Sequence, residues 1–208
     1  FPLTLTAGVV VHPPGTVLKQ NGDPYTVFTP FKKNGWLQRP LPRAADMLPA
    51  PQKLKTPENI NSEVLPEAPE LLADVPFAPG EAEAQRRLSA FAADAIARYA
   101  QGRDWVAVDG TSQLSPYLRF GMISARQAVV TAVTAMHNAQ TQEARKGAET
   151  WLSELIWREF YVHILYHFPH VLGGSFRREY DEIEWCNQEE EFAAWCDGRT
   201  GYPIVDAA

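Results

Sequence analysis

One short segment combines side chains that could bind a flat ring. Residues 151–161 read Trp-Leu-Ser-Glu-Leu-Ile-Trp-Arg-Glu-Phe-Tyr. Helical periodicity predicts that two indoles, a carboxylate, a guanidinium and a phenol share a face about 120° wide. Such a face can stack on a planar ring and hydrogen-bond its edges. The alternative is a core helix with a pair of opposite charges four residues apart. The residues of this face are Trp151, Glu154, Trp157, Arg158 and Tyr161.

A second candidate site is the segment Gly110-Thr-Ser-Gln-Leu-Ser-Pro116. Small hydroxyl residues beside a glycine can present N–H and O–H donors to a phosphate. Tyr99 and Arg103, just upstream, could add a phenol and a cation to the same site. The alternative is an ordinary turn, in which Thr, Ser and Gly are common, with an arginine favoured at the end of the preceding helix.

A third set of residues could hold a metal ion. Glu159, His163 and His167 recur at four-residue spacing, and His170 lies close by. Two histidines so spaced can bind zinc, but the HExxH pattern is absent. Histidines on an aromatic helix more often pack and hydrogen-bond, so we expect no metal site here.

Composition narrows the class of protein. The 208 residues are 45% hydrophobic and carry a net charge of −6, which indicates a globular chain without a broadly basic surface. The two cysteines form no metal or redox motif and suit an intracellular, cytoplasmic location. No apolar run reaches membrane-spanning length and no signal peptide is present, so we expect no membrane contact. Both ends look cut, which predicts an internal piece of a longer protein.

The pattern along the chain predicts a mainly α structure. β-Branched residues at 9–11 and 25–28 favour strands. Asn21-Gly22, which lies between Val17-Leu18 and Tyr25–Val27, could close a hairpin. Thr29 is predicted to cap a short helix that extends through Trp36. A proline-rich stretch of little periodicity follows. Helical periodicity begins at Glu81 and predicts a helix that ends at Gly102. Later helices are predicted to be capped by Ser124, to end near Pro169 and to end at Gly198.

Taken together, these motifs resemble the photolyase/cryptochrome family, and within it the enzymes that repair cyclobutane pyrimidine dimers. The matching strings occur in family order and cover most of the chain outside the proline-rich stretch. They are Pro13-Pro-Gly15, Val27-Phe-Thr-Pro-Phe31, the Gly110–Pro116 segment, residues 151–161, and Thr200-Gly-Tyr-Pro-Ile-Val-Asp-Ala-Ala208.

The resemblance implies a domain organisation and two cofactors. Residues 1–36 would be the end of an α/β antenna domain and the start of the next helix. Residues 37–80 would be an inter-domain connector, and 81–208 the first half of a helical FAD-binding domain. The cofactors implied are FAD and a second antenna chromophore of the folate or deazaflavin type, which the sequence does not identify.

The resemblance also implies roles for individual residues. The flavin would be held by Tyr99, Thr111, Ser112, Gln113, Leu114, Ser115, Trp151 and Glu154. Damaged DNA would contact Arg103, Glu154, Trp157, Arg158 and Tyr161. Glu154 and Trp157 would be the catalytic pair, Glu154 hydrogen-bonding the damaged bases and Trp157 stacking on them. Trp185 would be the outer tryptophan of an electron-transfer chain. Gln113 stands where some relatives have arginine, which predicts a weaker contact on the phosphate side.

The activity implied is light-driven repair of pyrimidine dimers by a monomer that binds damaged DNA. The alternative is a cryptochrome-type light sensor that binds flavin without repairing DNA. The pairing of Trp157 with Glu154 favours repair, because a light sensor has no need of a ring that stacks on a dimer. Because only half of a flavin site would be present, we expect the chain alone to be inactive.

Overall fold

The computed structural model describes residues 8–47, 49, 52–53, 63–64, 66–67 and 76–207. The helices within these ranges are α1 (Phe28–Pro30), α2 (Glu81–Ala93), α3 (Tyr99–Gly102), α4 (Ser115–Arg119), α5 (Ala125–Asn138), α6 (Gln142–His167), α7 (Glu189–Cys196) and α8 (Pro203–Asp206). A π-helical turn (Phe31–Gly35) and a 3-10 turn (Trp36–Gln38) extend α1. Further 3-10 turns span Ala44–Asp46, Ala95–Arg98, Pro169–Leu172 and Arg178–Tyr180.

The strands predicted near the N-terminus do not form in the part of the chain described. Only an isolated antiparallel bridge joins Leu18 to Pro24, around the predicted turn. The Asn21 side chain accepts a hydrogen bond from the Asp23 N–H at 3.1 Å. Val11 and Val17, which both precede this bridge, are instead buried in the hydrophobic core. Core packing thus buries some of the β-branched residues that favoured strands.

The predicted helix after residue 28 is confirmed, with a shifted start. Val27 is the cap residue, and its carbonyl accepts the Phe31 N–H, so Thr29 already lies inside the first turn. Phe31 and Trp36 point into the core, with 1% and 0% of their surface exposed. These two rings fix the segment against the rest of the protein.

The helix predicted from Glu81 to Gly102 is interrupted once. Asp94 leaves the helical region (φ −139°) and the chain continues as a 3-10 turn before α3. This turn lies against Gly147 of α6, where an added Cβ would stand 2.3 Å from the Ile96 carbonyl oxygen. Close backbone approach therefore accompanies the break, and only glycine fits at position 147.

The ends of α5 and α6 follow local signals. The Ser124 side chain accepts the Gln127 N–H at 3.1 Å, which confirms the predicted cap of α5. Helix α6 is longer than the segment singled out from the sequence. Thr141 accepts the Ala144 N–H at its start, and α6 ends at His167, two residues before Pro169.

The described chain divides into two compact units, Phe1–His167 and Phe168–Ala208. In the first, one hydrophobic core joins α2, α5 and α6 with the segment around α1. The second contains α7 and α8, and there the Asp206 carboxylate accepts hydrogen bonds from the N–H groups of Thr200 and Gly201.

The predicted division at residues 36 and 80 stays a prediction. Much of the predicted connector (48, 50–51, 54–62, 65 and 68–75) lies outside the described residues, as do 1–7 and 208. Among the residues described, no helix has the length and apolar character needed to cross a membrane.

Candidate functional site

The N-terminal half of the polar and aromatic face of α6 packs around one phenylalanine. Trp151 is buried, with 3% of its surface exposed, and its ring lies 5.0 Å from that of Phe91. Tyr99 meets the same Phe91 ring edge-on at 5.7 Å. Burial raises the pKa of the Tyr99 phenol, and the nearby Glu154 carboxylate raises it further. Two of the predicted flavin-contacting rings are thus brought together through a residue of α2.

Further along the same face, Trp157 is stacked on Phe28. The two ring centroids are 3.5 Å apart and the planes differ by 8°. Tyr161 lies on the next turn with its centroid 5.7 Å from Trp157 and is 64% exposed. Phe28 therefore covers one face of the indole and fixes its plane. Sequence analysis did not identify Phe28 as a site residue, and no local signal marks it, because the contact joins distant segments.

Glu154 forms an ion pair with Arg103 across the gap between α6 and the end of α3. The Arg103 guanidinium also lies over the Tyr99 ring, 6.0 Å from its centroid. About two fifths of the Glu154 side chain stays accessible to solvent. Three residues predicted for flavin or DNA contact thus form one connected group, and Glu154 is still accessible to a ligand.

Arg158 does not pair with Glu154, which was the alternative considered for this helix. Its guanidinium donates to the carbonyl oxygens of Val9 at 2.5 Å and Leu118 at 3.2 Å. Burial lowers the pKa of Arg158. In this arrangement Arg158 ties α6 to two other backbone segments, and a DNA contact for it stays a prediction.

The 110–115 loop is held against the end of α3. An added Cβ on Gly110 would lie 2.6 Å from the carbonyl carbon of Gly102, so the two backbones touch. Leu114 is buried (1% exposed) and anchors the loop in the core. Around it, Thr111 and Ser115 are exposed and Ser112 is partly exposed. The loop thus combines a buried apolar anchor with accessible hydroxyl groups, which suits a polar ligand such as a phosphate.

Gln113, at the centre of this loop, adopts a left-handed backbone conformation (φ 49°). Its side chain is hydrogen-bonded at both ends. The amide nitrogen donates to Asp109 at 2.9 Å, and the amide oxygen accepts from Arg87 at 2.6 Å. A groove of about 320 Å³ runs between α2 and this loop and includes Arg87, Thr111 and Ser112.

Glu159, which was considered above as a metal ligand, is hydrogen-bonded to three N–H groups of the protein. Its carboxylate accepts hydrogen bonds from the Val11 and His12 N–H groups and from the Trp36 indole at 2.7 Å. Burial raises the pKa of Glu159, although these donors oppose the shift. His163 is hydrogen-bonded to the Tyr25 carbonyl at 3.0 Å. Across the described residues, no group of three or more acidic, His or Cys side chains is placed to hold a metal ion.

Trp185 belongs to the second compact unit, in the stretch between the Arg178–Tyr180 turn and α7, and is 73% exposed. Its predicted role in electron transfer stays a prediction.

The sequence of this chain is similar to those of known proteins. Residues 151–208, which include the aromatic face of α6, match the model of the FAD-binding domain of DNA photolyase. A deoxyribodipyrimidine photo-lyase from Synechococcus sp. is 40% identical over 210 residues, covering 96% of this chain. The enzyme of that name from Escherichia coli is 37% identical over 204 residues, again covering 96% of the chain.

The chain belongs to the photolyase/cryptochrome family. Its fold agrees: a class III photolyase from Agrobacterium tumefaciens superposes with a TM-score of 0.72 at 30% identity, over 96% of this chain and 42% of that one. A cryptochrome from Synechocystis sp. superposes with a TM-score of 0.75, over 96% of this chain and 43% of the cryptochrome. Because the two sequences are only 23% identical, this similarity supports the fold alone. The chain spans less than half the length of the curated relatives it matches, 43% and 42% for the two named above.

Proposed function

We propose that this protein binds FAD and repairs cyclobutane pyrimidine dimers in DNA with the energy of light. The observation that carries the proposal is the partly exposed stretch of α6 where Trp157 is stacked on Phe28 and the accessible Glu154 lies one turn away. The relatives named as deoxyribodipyrimidine photo-lyases, at 35–40% identity, support the same activity.

The residues present fit a flavin with a phosphate-bearing tail. Tyr99 and Trp151 supply rings at the Phe91 cluster, and the 110–115 loop supplies hydroxyl and N–H donors. The contact of Gly110 with Gly102 fixes where those donors lie. When bound and reduced, FAD supplies one electron under illumination and recovers it after bond cleavage. The residues proposed to hold it are Tyr99, Trp151, Glu154 and the loop residues Thr111, Ser112, Gln113, Leu114 and Ser115.

Trp157 and Glu154 are proposed to recognise the damaged bases. A dimer must leave the base stack to reach a buried cofactor, and unpairing costs least where damage has already weakened it. The Trp157 face not covered by Phe28 can replace the lost stacking, which is worth on the order of 1–3 kcal/mol per base. Glu154 can hydrogen-bond a carbonyl edge and stabilise negative charge that develops on the dimer.

Arg103, Arg158 and Tyr161 are proposed to contact the DNA strand. Arg103 is 36% exposed beside Glu154, so its guanidinium can bind a phosphate. Tyr161 offers an exposed phenol one turn beyond Trp157. Trp185 is proposed as the outer tryptophan that passes electrons to the flavin.

Resemblance to the family supports further proposals about the whole protein. We propose an antenna domain ending near residue 36, a connector over 37–80 and a helical domain from 81 onward. A second chromophore of the folate or deazaflavin type would collect light. The protein would act as a cytoplasmic monomer on damaged DNA.

The test is light-dependent loss of dimers from irradiated DNA by the full-length protein. We expect purified protein containing reduced FAD to remove dimers under blue light and to remove none in the dark. Protein that binds flavin and responds to light while leaving the dimers intact would instead support the cryptochrome alternative. Glu154→Ala provides a matched protein that should bind flavin more weakly and repair more slowly.

A further inference from the structure

The strained centre of the 110–115 loop is held by an arginine of another element. Gln113 has a positive φ of 49°, which a residue with a side chain adopts at a cost unless its surroundings fix it. The Arg87 Nη1 group of α2 donates to the Gln113 amide oxygen at 2.6 Å. On the other side, Asp109 accepts from the Gln113 amide nitrogen at 2.9 Å. The loop is thus fixed by the side chain of its central residue.

The Arg87 guanidinium has hydrogen-bond and aromatic partners besides Gln113. Its Nε donates to Glu83 at 2.7 Å, and its Nη2 donates to the Pro76 carbonyl at 3.0 Å. The guanidinium carbon lies 5.2 Å from the Phe77 ring centroid and 5.6 Å from that of Tyr117. Only 16% of the side chain is exposed. Because these partners restrict the Arg87 guanidinium, the Gln113 amide that it binds is held at a fixed position relative to α2.

The neighbouring Arg86 provides an internal comparison. It donates twice to the same Glu83 carboxylate, at 2.7 Å each, but its side chain is 66% exposed. Arg86 lines the same groove beside the loop, but its hydrogen bonds within the described part of the chain go to Glu83. Arg86 and Arg87 together lower the pKa of Glu83 to about 2, so the carboxylate stays charged and continues to orient both. The two arginines thus share a charge and a carboxylate partner, but of the two it is Arg87 that is largely buried and hydrogen-bonded to the loop.

We propose that Arg87 is a positioning residue: through Gln113 it fixes the loop backbone in the conformation that binds the flavin phosphates. This inference rests on the proposed function, in which the 110–115 loop holds those phosphates. Arg87 acts through Gln113. It provides from α2 a cation that the loop itself lacks, since no lysine, arginine or histidine occurs between Gly110 and Pro116.

The test is flavin affinity of the full-length apoprotein, measured by fluorescence quenching with two probes. FAD carries the phosphates and riboflavin does not. We expect Arg87→Gln to weaken FAD binding about tenfold, the scale of a lost charged hydrogen bond. Its affinity for riboflavin should change less than about twofold. Arg86→Gln, the matched control, should change neither affinity by more than about twofold.

A second variant separates loop positioning from folding. Gln113→Ala removes the acceptor while leaving Arg87 paired with Glu83, and it should reproduce the FAD-specific loss. The double variant should lose little more than either single one, because both remove the same contact. An equal loss of FAD and riboflavin affinity would overturn the inference, as would an Arg87→Gln protein that binds FAD normally. If the wild-type protein binds no FAD, the proposed function itself fails.

Discussion

At the scale of residues, the proposed recognition of damaged bases depends on the orientation of one indole ring, that of Trp157. Trp157 lies parallel to Phe28 at 3.5 Å, so a base stacked on its other face would complete a three-ring stack. Glu154, which forms an ion pair with Arg103, lies about one helical turn before Trp157, and about two fifths of its side chain is accessible. Selectivity for damage and affinity for DNA are thus assigned to different side chains.

Replacing Trp157 tests the first of these assignments. Trp157→Ala should weaken binding to dimer-containing DNA by roughly 5- to 150-fold, the equivalent of about 1–3 kcal/mol of stacking. Affinity for undamaged DNA should stay within about twofold, because phosphate contacts carry that binding. Trp157→Phe, which keeps an aromatic face, should recover part of the loss. Gel-shift titrations with dimer-containing and undamaged DNA measure the ratio of the two affinities. Equal losses of affinity for both DNAs would show that Trp157 serves packing alone.

At the scale of elements, α6 positions most of the site through close packing. Gly147 lets the Ala95–Arg98 turn approach α6, and that turn leads directly into Tyr99 and Arg103. The same helix carries Trp151, Glu154 and Trp157 within its next turns. The contact at Gly147 therefore sets how the residues proposed to contact flavin and DNA lie relative to one another.

Gly147→Ala should destabilise the fold although alanine is the better helix former. The added Cβ would meet backbone oxygens of Ile96 at 2.3 Å and Ala97 at 2.6 Å, which cannot rotate away. We expect a loss of about 1–3 kcal/mol in the free energy of unfolding, typical of overpacking. Lys146→Ala, at the exposed neighbouring position, should leave that free energy nearly unchanged. Urea unfolding of both variants measures the difference; an unchanged or raised stability in Gly147→Ala would contradict the packing described.

The helices were largely predictable from the sequence because local chemistry marks their ends. Ser124 caps α5 by its own side chain, and α7 spans the acidic stretch before Gly198. The valines near the N-terminus misled the prediction of strands, because β-branched side chains are common in sheets but are buried here in an irregular segment packed on helices. The interruption at Asp94 has no local signal either. It depends on Gly147, which lies far along the chain.

The site residues were identified chiefly by resemblance to a family, and their connections came from the structure. Spacing placed Glu154 and Arg158 as a possible pair, yet their partners lie on other elements. Phe28 and Arg87 were missed for the same reason. Each contributes through a tertiary contact, and nothing in its neighbouring sequence distinguishes it from an ordinary helix residue.

At the scale of the whole molecule, we expect the buried histidine His163 to couple folding to pH. Burial lowers the pKa of His163, and the neighbouring His167 lowers it further. Below the ordinary histidine pKa near 6.5 the unfolded chain takes up a proton that the folded chain resists. The contribution of His163 to stability is therefore full above about pH 6.5 and declines as the pH falls through that value.

A second buried group, Glu159, also affects the pH dependence of stability. Its pKa is raised, so stability falls as the pH rises above the carboxyl's ordinary value, opposite to the effect of His163. A variant that lacks the titrating histidine isolates the contribution of His163. His163→Gln can still donate to the Tyr25 carbonyl but does not titrate. Between pH 7.5 and 5.5 the wild-type melting temperature should fall further than that of His163→Gln. Parallel changes in the two proteins would show that His163 is not the group that couples folding to pH.

The most direct measurement of the central claim is a crystal structure of the full-length protein with FAD and a DNA containing a pyrimidine dimer. The account predicts the dimer stacked on the face of Trp157 opposite Phe28, with Glu154 hydrogen-bonded to a base edge. It also predicts the flavin phosphates against the 110–115 loop, with Gln113 still held by Arg87. A dimer bound elsewhere, or phosphates that do not contact this loop, would contradict it.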